Sequence, residues 1–139
     1  MFGALDHVAI VVRNTAEALK FYRDTLGLPV VLSEELPSVG VRLTHLDLGN
    51  THLQLVEPLR PDHPLSRHLE EHGEGLHHLC LRVKDVDATV AKLPERGLRR
   101  RGEANHAGPC GRVAAFLDPA TTRGVLWEIT SEPPRPEGD

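Results

Sequence analysis

LDHVAIVV at residues 5–12 and LHHLCLRV at residues 76–83 are two versions of one pattern, and this repeat decides the fold. Both stretches are rich in valine, isoleucine and leucine, as β-strands are. Each carries a histidine at its third position, His7 in the first copy and His78 in the second. The chain is therefore predicted to contain the same structural unit twice.

A helix is predicted after each of these strands. In the first copy Asn14 can cap the helix and Gly27 can end it, and in the second copy Asp87 and Gly97 take the same roles. The first helix is expected to bury the three residues that share one face at 3.6-residue spacing, which are Leu19, Tyr22 and Leu26.

The chain after each helix is rich in strand-forming residues, so the order strand, helix, strands occurs twice. The sequence thus predicts an α+β fold of two tandem βαβββ modules, at residues 4–58 and 75–130. Together the modules are predicted to make a single domain, residues 1–130. Residues 131–139 carry three prolines and alternating charge, which predicts a disordered tail.

The overall composition excludes several classes of protein. Sixteen basic and twenty acidic residues among 139 give a formal charge of −4, so no basic face dominates and a nucleic-acid partner is not expected. No apolar run is long enough for a membrane span, and the N-terminal residues lack a signal-peptide pattern. Two cysteines do not make a disulfide framework. A reducing cytoplasm is the expected location.

Each module places one polar donor at its first strand and another at its last. These are His7 and Gln54 in the first module, and His78 and Glu128 in the second. A lone strand histidine is more often bonded to the backbone than to a metal, but here the donors recur in register. If the modules pair side by side, two imidazoles, a carboxylate and an amide oxygen converge. Such a set suits a divalent metal ion (Co, Ni, Mn, Zn or Fe) with positions open for substrate.

The other candidate side chains are predicted to lie outside the metal site. His77 is expected to face away from the site because neighbouring strand residues alternate in direction. Cys80 is interpreted as a small core residue, and residues 102–111 as a loop. The remaining histidines considered are predicted to lie at the surface: His45, His52, His63, His68 and His72.

Five stretches together are similar to the motifs of a known family: LDHVAI (5–10), FYRDTLGL (21–28), LGNTHLQL (48–55), GLHHL (75–79) and GVLWE (124–128). On these residues the chain resembles the vicinal-oxygen-chelate superfamily (glyoxalase, bleomycin resistance and dioxygenase proteins), and within it the methylmalonyl-CoA epimerases. The resemblance runs from residue 5 to residue 130. It implies that the two modules form a partly closed, barrel-like mixed sheet around a metal site.

Carried over to matching positions, the resemblance implies that His7, Gln54, His78 and Glu128 bind the divalent metal ion. It also implies a metal-dependent enzyme that removes a proton next to a carbonyl, with an acyl-CoA thioester as substrate and the enolate oxygen stabilised by the metal. Glu128 is then a candidate base, and His45 is the candidate for the second catalytic group. A homodimer is the expected assembly.

The chain departs from the family pattern at several positions. Some members place a second glutamate base where residues 40–43 read GVRL, and a cationic HPK sequence where residues 118–120 read DPA. Arg112 or Arg123 is the candidate replacement for contact with a CoA phosphate. The alternatives are a glyoxalase I-like isomerase, a dioxygenase and a non-enzymatic binding protein. Gln54 favours the epimerases, because a glutamate is more usual there in bacterial glyoxalase I.

Overall fold

A computed structural model describes residues 1–133 of the chain. Most of the predicted tail lies outside the described residues, and its first residue, Ser131, ends the last strand instead. Among residues 1–133 no helix is both long and apolar enough to cross a membrane.

In the described chain, each copy has a strand, a helix and then three strands, in the predicted order. In sequence they are β1 (Leu5–Val11), α1 (Thr15–Leu19), β2 (Val30–Leu36), β3 (Val41–Asp47), β4 (His52–Pro58), α2 (Pro64–His72), β5 (Gly75–Val83), α3 (Val86–Lys92), β6 (His106–Ala107), β7 (Val113–Phe116) and β8 (Trp127–Ser131). This order confirms the α+β class and the two βαβββ copies. The chain forms two compact units, here called the first unit (His7–His78) and the second unit (residues 1–6 with the chain from Leu79 onward).

The first unit is built on strands in the order β2-β3-β4-β1. The β2–β3 and β3–β4 pairs are antiparallel, whereas β1 and β4 are parallel, as strands joined by a long connection can be. On one face, Leu53 and Leu55 pack with residues of α1. Because strand residues alternate, Gln54 points to the opposite face, together with Ala9 and His45, its partners in register.

The first helix begins as predicted and then departs from regular geometry. Asn14 Oδ1 accepts a hydrogen bond from the backbone N–H of Glu17 at 2.9 Å, and Leu19 and Tyr22 pack on the apolar core. The predicted burial of Leu26 is wrong, since this side chain is 52% exposed. A π-helical turn at Lys20–Thr25 follows α1, and its wider winding rotates later residues away from the 3.6-residue face.

The second unit repeats this arrangement with strands in the order β5-β8-β7-β6, and β5 is parallel to β8. Its helix is capped by Asp85, whose Oδ1 accepts from the N–H of Ala88 at 3.0 Å. The predicted cap, Asp87, is wrong because the helix begins earlier, at Val86. Asp87 instead accepts a hydrogen bond from Asn105. Gly97 ends the helical segment in a left-handed conformation, as predicted.

Candidate metal centre

The four predicted ligands occupy equivalent positions in the two copies. In the β1–β4 pair, Gln54 lies opposite Ala9, which is two residues after His7. In the β5–β8 pair, Glu128 lies opposite Cys80, which is two residues after His78. The register of the parallel strands therefore gives Gln54 and Glu128 the same place in their respective copies, a relation that sequence spacing alone only suggested.

Three of these donors lie in the first unit and are almost completely buried. His7, Gln54 and His78 each expose less than a tenth of their surface. The rings of His7 and His78 are nearly perpendicular, with centroids 5.5 Å apart. Burial of several polar side chains costs free energy unless each has a hydrogen-bond or metal partner. The cluster therefore requires such partners.

His45 belongs to the same cluster, and its predicted surface location is wrong. It is 2% exposed, its ring centroid is 5.6 Å from that of His7, and its Nε2 is 3.0 Å from Nε2 of Gln54. The reason is register: β3 places His45 directly opposite Gln54 on the face that α1 does not cover. The sequence offers His45 as a catalytic candidate but contains no local pattern that places it in the buried cluster.

The hydrogen bonds of His45 define a consistent set of tautomers. The amide nitrogen of Gln54 can only donate, so Nε2 of His45 accepts. The ring proton of His45 is then on Nδ1, which lies 3.0 Å from Nδ1 of the half-buried His52 and donates to it. With its amide nitrogen bonded to His45, Gln54 keeps its oxygen as the atom that a divalent cation prefers.

His78 also has a histidine partner. Nδ1 of His77 lies 2.8 Å from Nδ1 of His78, so one ring donates to the other. His77 is half-buried and sits beside His68, in agreement with alternation along the strand. A hydrogen bond at one ring nitrogen fixes the orientation of the ring and leaves the other nitrogen as the ligand atom, which is the usual environment of a metal-binding histidine.

In the second unit, Glu128 is buried and is held by a histidine that sequence analysis missed. Nε2 of His106 donates to Oε2 of Glu128 at 2.6 Å, and the His106 ring stacks on Phe116 with centroids 4.8 Å apart. Phe116 is the register partner of Glu128 in β7. His106 lies in short strand β6, within residues predicted to be a loop, so no periodic pattern marked it.

Arg112 does not have the role considered for it from the sequence. Its Nη2 lies 2.7 Å from Oδ1 of Asp6, and it also donates to the Ser131 carbonyl at 2.7 Å. Arg82 binds the same carboxylate at 2.8 Å. The Arg112 side chain is therefore committed to a buried ion pair, and the suggestion that it meets a CoA phosphate is wrong. Of the two candidates, Arg123 remains.

Cys80 is a core residue, as predicted, and its surroundings keep its thiol protonated. Burial raises the pKa of the Cys80 thiol, and the negative charges of Glu128 and Asp6 raise this pKa further. Cys110, in contrast, is exposed.

We expect a thiol-specific reagent to modify one cysteine in the native protein and both in urea, as measured by mass spectrometry. Rapid native labelling of Cys80 would contradict this expectation.

The same pKa shift has a consequence for stability. A thiol that stays protonated in the folded chain ionises only on unfolding, once the pH passes its ordinary pKa of 9.0. Above that pH the unfolded chain binds fewer protons than the folded chain, so the contribution of Cys80 to stability falls as the pH rises. A Cys80→Ala variant provides the control, since it removes this pH dependence.

Comparison with known proteins identifies the family of this chain. Residues 6–116 match the model of the glyoxalase/bleomycin resistance protein/dioxygenase superfamily. The mitochondrial methylmalonyl-CoA epimerase of Mus musculus is 36% identical over 128 residues, which cover 91% of this chain and 72% of the mouse protein. The ethylmalonyl-CoA/methylmalonyl-CoA epimerase of Cereibacter sphaeroides is 36% identical over 131 residues, covering 93% of this chain and 98% of that protein.

Among solved structures, a variant of the Streptomyces coelicolor methylmalonyl-CoA epimerase in complex with 2-nitronate-propionyl-CoA has a TM-score of 0.85. It is 31% identical, and the match covers 95% of this chain and 99% of that one. The chain therefore belongs to the glyoxalase/bleomycin resistance/dioxygenase superfamily and, within it, to the methylmalonyl-CoA epimerase family. The resemblance drawn from the sequence motifs is thereby confirmed.

Proposed function

We propose that this chain is a metal-dependent enzyme that epimerises methylmalonyl-CoA or a closely related acyl-CoA. The observation that carries the proposal is the matched register of Gln54 and Glu128, each opposite the second residue after a first-strand histidine. Two pairs of donors in equivalent places are what a shared site built from a duplicated module requires. Membership of the epimerase family supplies the substrate class.

The donor set fits a divalent metal ion. We propose His7, Gln54, His78 and Glu128 as its ligands, because two imidazoles with amide and carboxylate oxygens suit the ions from manganese to zinc. When bound, such an ion supplies positive charge that stabilises the carbonyl oxygen as it becomes negative. All four residues are buried, so the protein rather than water sets their orientation.

Glu128 is proposed to carry the proton on one side of the substrate carbon. The proton next to a thioester carbonyl is weakly acidic, and the Glu128 carboxylate can remove it once the carbonyl oxygen is stabilised and its own bond to the metal loosens. His106 holds the carboxylate in one orientation through its 2.6 Å hydrogen bond. Stacking on Phe116 fixes the His106 ring in turn. The chain thus positions its proposed base with two further side chains.

His45 is proposed to be the second proton carrier. Inversion of the substrate centre needs a donor opposite the first base, and residues 40–43 contain no acid. A proton that reaches Nε2 of His45 can be matched by one leaving Nδ1 toward His52, so the ring need not stay charged. In the structure Nε2 accepts from the Gln54 amide, so this role requires His45 to exchange that contact for the substrate while the Gln54 oxygen stays on the metal. The proposed assembly is a homodimer, and the proposed location is the cytoplasm.

The experiment that tests this function is proton exchange at the substrate carbon. Protein loaded with Co²⁺ is incubated with methylmalonyl-CoA in deuterated water, and NMR follows deuterium at the α-carbon together with epimer composition. Exchange with interconversion of the epimers is the expected result. Metal binding without any exchange would overturn the substrate assignment, and turnover of a glutathione hemithioacetal instead would identify a glyoxalase I-like isomerase.

A further inference from the structure

Helix α2 carries two histidines that the proposed reaction does not use. His68 and His72 lie four residues apart, one helical turn, and their ring centroids are 4.8 Å from each other. The core-facing side of the same helix is formed by Leu69, with Leu65 packed against the neighbouring apolar cluster. His68 and His72 follow Leu65 by three and seven positions, so both imidazoles adjoin this apolar side of the helix, where His68 is half-exposed and His72 exposed.

A third imidazole reaches this pair from strand β5. The ring of His77 is nearly perpendicular to that of His68, with centroids 5.2 Å apart. These three residues, called here the α2 histidine cluster, come from a helix and a strand of the first unit. His77 faces His68 while its Nδ1 is hydrogen-bonded to His78. Its Nε2 is accordingly the atom that would act as a ligand.

Packing alone does not explain this cluster. Imidazoles contribute little apolar area, and three of them crowded together repel one another whenever they become protonated. Two histidines at positions i and i+4 on one helix face are, however, a chelating arrangement for transition metals. The side chain of His72 is 65% exposed, so solvent rather than packing surrounds its ring. The carboxylate of Glu71, 3.9 Å from His72 Nε2, adds an oxygen donor nearby.

We propose that the α2 histidine cluster is a second, outer metal site that binds a first-row transition ion such as Zn²⁺, Ni²⁺ or Cu²⁺. Imidazole nitrogen is a good ligand for these ions and a poor one for Mg²⁺ or Ca²⁺, which favour oxygen. His68 and His72 form the chelating pair, His77 is the third ligand, and water completes the coordination. The site is separate from the proposed reaction centre and stands whether or not that centre is correctly assigned.

Zn²⁺ stoichiometry tests the outer site. Metal-stripped protein is dialysed against buffered Zn²⁺, and elemental analysis compares wild type with the double variant His68→Ala/His72→Ala. The double variant is expected to bind one equivalent less, whereas Arg67→Ala, an exposed change on the same helix, should match wild type. Alanine is the best helix former, and circular dichroism checks that both variants keep the fold. Equal Zn²⁺ content in wild type and double variant would overturn the proposal.

Two further variants separate this site from the inner one. His7→Ala is expected to remove the inner equivalent and leave the outer one in place. His72→Ala alone should weaken the outer site by about 10-fold or more and leave the inner equivalent in place, since loss of even an indirect partner of a metal typically has an effect of this size and His72 contacts none of the proposed inner ligands. If the zinc lost in His68→Ala/His72→Ala is the same equivalent that is lost in His7→Ala, the chain has one site and the outer site does not exist.

Discussion

A Glu128→Gln variant is expected to exchange the substrate α-proton about 100- to 10,000-fold more slowly than wild type, the range that a positioned general base contributes. Glutamine cannot take up the proton, but it reproduces the amide that Gln54 already provides at the equivalent position of the first copy. It also keeps an oxygen that can accept the hydrogen bond from His106. The metal should therefore remain bound, so the variant should have a lower exchange rate but the same metal content as wild type.

The two epimers of the substrate make this test more specific. If Glu128 and His45 act on opposite sides of the carbon, Glu128→Gln should stop exchange from one epimer and His45→Gln from the other. Exposed Glu132 provides the matched control, since Glu132→Gln makes the same chemical change outside the site and should leave both rates unchanged. Near-wild-type exchange from both epimers in metal-loaded Glu128→Gln would show that another group takes the proton.

The parts of the fold that could be predicted are those encoded in local sequence. Two strand-like stretches with a histidine at the same place revealed the duplication, and Asn14 and Gly97 mark helix ends through interactions with their own neighbours. The ligand candidates followed from the duplication, because polar side chains at matching positions of two copies indicate one shared role. Alternation along β5 also gave the direction of His77 relative to His78.

The errors arose where contacts between distant segments decide the outcome. His45 looked like a surface residue because nothing in its own stretch shows that β3 lies opposite Gln54 in β4. His106 lies in a strand of two residues, too short for any periodic pattern, and is placed by pairing with β7. Leu26 was misjudged because a single π-helical turn alters the angle at which every later residue projects.

A common feature links the histidines that surround the proposed ligands. Each of three proposed ligands is bonded to a histidine outside the ligand set: Gln54 to His45, His78 to His77, and Glu128 to His106. Such outer contacts fix orientation and tautomer, and they are needed because a buried polar group without a partner is costly. The sequence shows the donors themselves, since they repeat, whereas their supporting residues differ between the copies and cannot be found by comparing them.

Replacing Asp6 by alanine is expected to lower the free energy of unfolding by about 3–5 kcal/mol, the cost of leaving a buried charge without its partner. The Asp6 side chain is 2% exposed and accepts from Arg82 at 2.8 Å and from Arg112 at 2.7 Å. Most of the effect should come from Arg112, whose side chain is 9% exposed, because Arg82 can return to water. Urea denaturation followed by circular dichroism measures the change.

An exposed ion pair provides the comparison. Asp24 pairs with Arg23 at 2.8 Å on the surface, and Asp24→Ala should leave the denaturation midpoint unchanged within error, since solvent screens such pairs. A loss below about 1 kcal/mol for Asp6→Ala would place its ion pair in this weak class as well. The double variant Asp6→Ala/Arg112→Met then separates two causes. Recovery of stability would show that the single variant is destabilised by the unpaired Arg112 guanidinium, and that the wild-type ion pair contributes little net stability over an apolar replacement.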